Sequence, residues 1–228
     1  MIKKKYKYDI SIAILNYNRA QFLDRAVRSC LDQYLSGKTK ELIIVDDASN
    51  DESIDFLNSH KKKYDSFKLI VNKKNKGPGY CSNLAIKNSQ GKYFIRVDSD
   101  DYLNRFAVDI MADILNYNED FGYVYCDHFK TDNWGLKQKI VKLNSKKVLL
   151  NHGAGILFRT DLIKKVGNYN PSLREAEDYE LISKLNKICN SFYLPLPLYR
   201  YYMHENNISK SGKRSEYIKI IKKNEKNI

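Results

Sequence analysis

A single α/β domain, with a mostly parallel central sheet and helices on both faces, is predicted by three observations in this 228-residue chain. Over roughly the first hundred residues, short apolar runs of strand length alternate with segments of helical period. The runs are nearly continuous in Ile, Leu, Val and Phe, which is the pattern of strands covered on both faces. The polar clusters Asn16–Arg19, Asp46–Asp47 and Asp98–Asp101 all fall at carboxyl ends of these runs, where open α/β sheets bind ligands. A random scatter of turn acids would also occupy the amino ends.

Each element follows from its residues. Asp9 to Leu15 is a strand, broken by Asn16-Tyr17-Asn18-Arg19, and Ala20 to Gln33 repeats its apolar residues at helical spacing. Glu41 to Val45 is the second strand and ends in Asp46-Asp47. Ser49-Asn50-Asp51-Glu52 has the form of a capping box, which predicts a helix running to about Lys63. Lys68 to Val71 is a third strand, Asn75 to Gly79 a turn, and Tyr80 to Ser89 a helix. Tyr93 to Val97, preceded by the breaker Gly91, is the fourth strand.

Beyond the acids, Arg105 to Asn116 reads as a helix and Phe121 to Asp127 as a strand; the polar stretch Thr131 to Lys147 suggests a hairpin or loop facing an acceptor. Gly153 to Arg159 is strand-like, and Thr160 caps a short helix ending at Gly167. Glu175 to Asp178 opens a helix from Tyr179 to Cys189. Phe192 to Tyr202 is extended and carries Pro195 and Pro197, which predicts an edge segment. From Ser209 onward the chain is rich in lysine. No repeat and no linker separates two domains.

Composition narrows the class. Hydrophobic residues make up 43% of the chain, enough for a buried core. No apolar run approaches the roughly 20 residues that span a bilayer, and Ile10 to Leu15 is too short for a signal-peptide core, so the domain is expected to be cytoplasmic. Cys30, Cys81, Cys126 and Cys189 lie far apart, as reduced and mostly buried thiols do. The net charge of +13 suits an anionic partner without choosing among nucleic acid, a phosphate-bearing substrate and an anionic membrane. Modules specific for nucleic acid are missing, so no specific nucleic-acid partner is expected.

The densest chemical signal is Val97-Asp98-Ser99-Asp100-Asp101. Three carboxylates within four residues of a buried strand cannot all be ionised in an apolar place without a cation. Mg²⁺ or Mn²⁺ with a diphosphate has the hard oxygen chemistry such a site requires. The alternative is a solvated turn in which Ser99 or Asp101 caps the next helix. Asp46-Asp47 offers acceptors for a nucleobase imide or ribose hydroxyls, or else an Asx-type cap. Tyr17 can stack on a base and Arg19 can meet a diphosphate, or else Arg19 snorkels at a strand end. Glu177 and Asp178 at a helix start either complement the macrodipole or hold a general base over a cleft. His204, after Tyr199-Arg200-Tyr201-Tyr202, is either a metal ligand or a half-exposed histidine; with no clustering of Cys and His, a zinc site is not expected.

In order and spacing, Ser11 to Arg19, Glu41 to Ser49, Asn75 to Gly79, Val97 to Asp101, Glu177-Asp178 and Tyr199 to His204 resemble the motifs of family 2 glycosyltransferases over about residues 9 to 209. The resemblance implies a GT-A-type, Rossmann-like domain (residues 1–210) with a basic C-terminal tail (211–228). It implies an inverting enzyme that moves a sugar from a nucleotide-diphosphate sugar to a glycan or lipid-linked acceptor hydroxyl in surface polysaccharide synthesis, with Mn²⁺ or Mg²⁺ as cofactor. Position by position, Tyr17 looks like the residue packing on the base, Arg19 like a basic residue near the diphosphate and Asp47 like the acid that binds the base. Asn83 and Ser99 join them as nucleotide-sugar contacts, with Asp98 on the ribose and sugar phosphate. Asp100 resembles the metal ligand, His204 a further metal or diphosphate contact, and Asp178 the catalytic base. His152 to Gly155 resembles the small-residue strand lining the donor-sugar and acceptor cleft.

The Gln-x-x-Arg-Trp motif of processive members is missing, since the only tryptophan is Trp134, so single transfer is favoured. A sugar-phosphate nucleotidyltransferase is the rival enzyme, but Asn16 to Arg19 lacks the glycine-rich loop it would carry. A catalytically silent nucleotide-sugar binder is the rival outside enzymes. The segment from Glu216 to Ile228 is either a solvated end or a peripheral contact with the inner face of a membrane that carries the acceptor.

Overall fold

A computed structural model describes residues 5–64, 67–143, 153, 155–204 and 213–226. Nine strands form one sheet in the order β3-β2-β1-β4-β8-β6-β9-β5, with β7 paired to β6 as a side branch. The strands are β1 (Tyr8–Asn16), β2 (Lys40–Asp46), β3 (Lys68–Val71), β4 (Gly91–Asp98), β5 (Tyr102–Leu103), β6 (Phe121–Thr131), β7 (Lys137–Val141), β8 (Ile156–Arg159) and β9 (Asn190–Tyr202). The long ladders β1·β2, β1·β4, β2·β3 and β6·β9 are parallel, and the short ones β4·β8, β6·β8, β6·β7 and β5·β9 are antiparallel. The helices are α1 (Ala20–Leu31), α2 (Ser53–Tyr64), α3 (Pro78–Asn88), α4 (Ala107–Tyr117), α5 (Thr160–Lys165), α6 (Glu177–Leu185) and α7 (Arg214–Lys226).

Strand alternation assigns the two faces. Ile10, Ile12 and Ile14 of β1, with Ile44, Ile95 and Val97, pack against Leu23 and Val27 of α1 and Met111 and Leu115 of α4. Ala13, Ile43, Val45 and Phe94 point the other way, onto Ala85 and Ile86 of α3, Ile163 of α5 and Leu181 and Ile182 of α6. Every apolar residue of β1, β2 and β4 thus has a helix opposite it, which is why the sequence shows unbroken apolar runs. Among the described residues no helix is long and apolar enough to cross a membrane.

Four expectations change. Ser49 does not cap α2: its hydroxyl donates to Asp46, and Asp51 instead accepts from the Ser53 amide as an Asx-type start. Helix α3 begins at Pro78 inside the presumed turn, because proline at the first helical position leaves no donor unsatisfied. The edge segment holds only in part. β9 pairs with β6 along its length and slips register at Pro195–Pro197, where a proline cannot donate to the ladder, and Tyr199 and Arg200 gain β5 as a second neighbour. Residues 213–226 are not a loose tail: Ile221, Tyr217 and Ile218 of α7 pack on Leu173, Ala176 and Tyr179. These three apolar side chains face the domain, while Ile220 of the same helix is 54% exposed. The polar stretch 131–143 is a hairpin; 144–147, His152 and Ala154 lie outside the described residues.

Candidate active site

The carboxyl ends of β1, β2 and β4 open into a cleft of about 590 Å³ whose far wall is formed by residues 174–178 and Arg214. Backbone conformation shapes its rim. Asn18, Ala48 and Ala176 all have positive φ, at 52°, 64° and 63°, a conformation that costs a non-glycine residue energy. Each sits where the chain leaves a strand or enters a helix beside the cleft. Ala176 precedes α6 in this left-handed turn, and both acids that follow it are buried.

The near wall carries the acid turn. Asp98, Ser99 and Asp100 line the cleft. Asp101 is buried beneath them, accepting from the Tyr199 hydroxyl at 2.8 Å and from the Tyr202 amide at 2.8 Å. It ties the turn to β9 and is neither a helix cap nor a site ligand. His204 Nε2 lies 2.8 Å from Asp100 Oδ2, and Arg19 Nε 3.4 Å from the same oxygen. Burial pushes the Asp101 carboxyl well above the usual range, with the Asp100 and Asp98 charges adding to the rise. Asp98 is also raised, by burial and by Asp100 and Asp178, against the opposing pull of Arg96. The turn is short of positive charge.

One carboxylate and one imidazole already in contact are a partial donor set. Among the described residues no three His, Cys, Asp or Glu side chains are gathered as a complete cage. Mg²⁺-type ions keep waters and take phosphate oxygens for their remaining positions, so Asp100 and His204, with Asp98 beside them, fit a cation whose shell a diphosphate completes.

The far wall carries the other acids. Arg214 grips Asp178 with both terminal nitrogens, Nη1 to Oδ1 at 2.8 Å and Nη2 to Oδ2 at 2.9 Å. Gly153 lies against the same carboxylate, and any Cβ there would sit 2.1 Å from Asp178 Oδ2. Glu177 is no surface helix-end acid: it is buried and accepts from Arg96 Nη1 at 2.8 Å. Arg96 also lies 3.5 Å from Asp98 and so bridges the two walls. Burial raises the Glu177 carboxyl, Arg96 opposes that, and Asp178 adds to it.

The base end of the cleft is less open to ligand than the sequence suggests. Asp47 lines it, but its oxygens accept from Asn72 Nδ2 (2.8 Å), the Lys76 amide (2.8 and 3.0 Å) and the Gly77 amide (2.7 Å). Gly77 has φ of 89°, and a Cβ on it would strike Arg174, whose Nη1 donates to Asn75 at 2.9 Å. Tyr17 stands at the mouth, 45% exposed. Asn83 is not at the cleft: its side-chain amide pairs with both backbone groups of Tyr169 (2.8 and 3.0 Å), fastening α3 to the segment before α6. The sequence reading missed Arg96, Arg174 and Arg214. Arg96 left a trace, a charged residue inside the apolar strand Tyr93 to Val97. A buried arginine needs a carboxylate.

Comparison with known proteins gives a consistent picture. The family model "Glycosyl transferase family 2" matches residues 11–167. A poly(ribitol-phosphate) beta-glucosyltransferase of Bacillus spizizenii is 41% identical over 100 residues, covering 43% of this chain and 16% of that protein. Chondroitin synthase of Escherichia coli is 28% identical over 210 residues, covering 88% of this chain and 30% of that protein. This chain therefore spans less than a third of either relative. Among solved structures, S. aureus TarS 1–349 in complex with UDP-GlcNAc superposes with a TM-score of 0.77 at 21% identity over 93% of this chain and 65% of that one. The mannosyltransferase PcManGT of Pyrobaculum calidifontis, in complex with GDP-Man and Mn²⁺, gives 0.69 at 14% identity over 90% and 62%. The fold is GT-A-like.

Proposed function

The chain belongs to glycosyl transferase family 2, and from that premise we propose that it moves a sugar from a nucleotide diphosphate to an acceptor hydroxyl with inversion at the anomeric carbon. One observation carries the reading: Asp100, paired with His204, and Asp178, paired with Arg214, line the same cavity. The first has the chemistry to hold a metal-bound diphosphate, and the second supplies a carboxylate fixed by an arginine for the acceptor.

In this proposal Tyr17 packs on the base at the mouth, and Asp47 shapes the base end through the loop Asn72–Gly77 that it holds. Asp98 and Ser99 meet the ribose and sugar phosphate, and Arg19 the diphosphate. A divalent cation, Mn²⁺ or Mg²⁺, held by Asp100 and His204 would neutralise the charge developing on the leaving diphosphate. Asp178 accepts the proton of the acceptor hydroxyl as its oxygen bonds to the anomeric carbon and the bond from that carbon to the diphosphate oxygen breaks. Arg214 holds the Asp178 carboxylate in place through both terminal nitrogens, and Gly153 leaves room for it. One displacement gives inversion, through an oxocarbenium-like transition state.

TarS binds UDP-GlcNAc, and one relative is named for a poly(ribitol-phosphate) acceptor. On that basis we assign a UDP-sugar as donor and a polyol-phosphate or surface-polysaccharide hydroxyl as acceptor. The test is to incubate the protein with Mn²⁺, a panel of UDP- and GDP-sugars and a poly(ribitol-phosphate) acceptor, and to measure nucleoside diphosphate release. Acceptor-dependent release of UDP supports the reading. Nucleotide-sugar binding without release across the panel would make the chain a silent binder, and pyrophosphate from NTP and sugar phosphate would make it a nucleotidyltransferase.

A further inference from the structure

The β6–β7 hairpin does not contribute to the cleft, yet it carries the largest exposed apolar side chain of the described residues. Trp134, the only tryptophan, is 82% exposed at its tip; Leu136 is 63% exposed in the same turn, and Ile140 is 44% exposed on β7. An exposed indole beside an exposed leucine offers an apolar body with an N–H donor, the combination that a half-wet interface takes. The tip is held in shape. Asp132 Oδ1 accepts from the Trp134 and Leu136 amides at 3.0 and 2.9 Å, and Gly135 has φ of 80° and donates to the Asp132 carbonyl. The exposure is therefore built into the turn.

Lysines surround these apolar groups. Lys137, Lys139 and Lys142 are exposed and Lys130 partly so, while Asp132 is taken up by the turn and by Gln138. Lys130 and Lys139 stand directly opposite each other across the ladder, a placement that costs energy unless an anion lies nearby. Edge-strand protection explains lysines on β7 but leaves Trp134 and Leu136 unexplained. Lysines around an exposed Trp and Leu match an anionic bilayer interface, where indole sits at headgroup depth and Lys meets the surface potential.

We propose that this hairpin docks the protein on an anionic membrane surface, with Trp134 and Leu136 entering the headgroup region and Lys130, Lys137 and Lys139, which share one face of the hairpin, meeting the lipid charge. The docking has a geometric consequence. Arg25 spans the hairpin and the site: its terminal nitrogens lie 3.4 Å from the Asn133 carbonyl and 3.5 Å from the Asp100 carbonyl, and Tyr102 donates to the Gly135 carbonyl at 2.9 Å. A docked hairpin would hold the acid turn close to the membrane plane, within reach of an acceptor anchored there. Binding itself does not depend on sugar transfer and is read with no donor present.

Because Trp134 is the only tryptophan, its fluorescence reports on this site alone. The 228-residue chain is mixed with vesicles of phosphatidylcholine, or of phosphatidylcholine with phosphatidylglycerol. The expected result is a blue shift and co-sedimentation with the anionic vesicles only, both reversed by raised salt. Trp134→Ser/Leu136→Ser should lower partition about tenfold or more. Lys137→Gln and Lys139→Gln should each lower it about fivefold. The Trp134/Leu136 and Lys139 changes should not move the melting temperature, since these side chains are exposed, and Lys137→Gln should lower it only slightly through loss of its contact over the Phe129 ring. Unshifted emission with anionic vesicles would overturn the proposal. So would a blue shift that grows with protein concentration without lipid, which would mean that a second copy covers the hairpin. Full binding by the Trp134/Leu136 variant, with loss on changing Lys219, Lys222 and Lys223 of α7 to Gln, would move the contact to that helix and also overturn it.

Discussion

The two acid clusters that face each other across the cleft use the same residue types and are held in opposite ways. On the far wall Glu177 and Asp178 each lie 2.8 Å from an arginine, Arg96 and Arg214 respectively. On the near wall three carboxylates crowd one turn beside the His204 imidazole at 2.8 Å, and the arginines paired with them are Arg19 at 3.4 Å and Arg96, shared with Glu177, at 3.5 Å. The far-wall acids Glu177 and Asp178 find their counter-charges within the fold. The near wall gathers more carboxylates than close arginines, and there burial and the neighbouring Asp100 charge raise Asp98 and Asp101, whereas on the far wall burial and Asp178 raise Glu177 against the pull of Arg96. A transferase of the proposed kind needs this asymmetry: a fixed base on one side and a vacancy for positive charge on the other.

The comparison breaks first at Asp178. Asp178→Asn keeps the shape and removes the proton acceptor, so turnover should fall about 10²- to 10⁴-fold while donor affinity hardly moves. Normal transfer by this variant would leave the far wall without a base. Next in size is Glu177→Ala, which strands the buried guanidinium of Arg96. Removing one partner of a buried pair costs roughly 3–5 kcal/mol, and urea unfolding would register it as a lower midpoint with unchanged slope. A cost of only about 0.3–1 kcal/mol, the value for an exposed helix-end acid, would show that the two walls are not held differently. Smaller again is Asp100→Ala. The parent should gain about 2.7 kcal/mol from nucleotide sugar and Mn²⁺ at a hundred times Kd, and the variant should lose that gain while remaining folded. A variant that is stabilised as strongly as the parent would remove the metal from the near wall.

The same asymmetry explains what was legible in the chain beforehand. The near wall is local: Asp98 to Asp101 end an apolar strand, Asp46-Asp47 end another, and periodicity alone marks those ends. The far wall depends on partners 81 residues apart (Arg96 and Glu177) and 36 apart (Arg214 and Asp178), which no spacing rule predicts. Asp178 was visible only through family resemblance, and Arg214 was hidden in a segment that reads as a basic tail. Asn83 shows the converse failure. Its residue type and its place after the Asn75–Gly79 turn suit a ligand, but the backbone of Tyr169 takes its amide. The helical faces were readable because burial imposes a period; the partners of polar groups are set by tertiary contact and leave none.

The smallest effect is also the most specific to the near wall. Asp98 and Asp101 bind protons more tightly in the folded chain than in the unfolded one, so their contribution to stability is full near and below the ordinary carboxylate pKa of about 4 and is lost as pH rises through their raised values. Asp51, lowered by hydrogen bonds from Ser53 and Ala20, and Asp109, lowered by Lys38, act in the opposite sense, so the profile of the parent alone is a mixture. The difference between parent and Asp100→Asn isolates the turn. Asp100 is the largest charge raising Asp101, and it also raises Asp98. Replacing it with a neutral amide leaves the distant Asp51 and Asp109 untouched. His204 and Arg19 lose a charged partner in the same variant, which offsets part of the gain. The variant should therefore melt above the parent at pH 7 by no more than about 2–4 °C, the shift that 1 kcal/mol produces in a domain of this size, with the gap closing toward pH 4. Mn²⁺ with nucleoside diphosphate should raise the parent at pH 7 and leave the variant where it was. A gap that is flat across this pH range, or a parent that melts higher at pH 7, would mean that Arg19, His204 and Arg96 already balance the turn and that the two walls are alike.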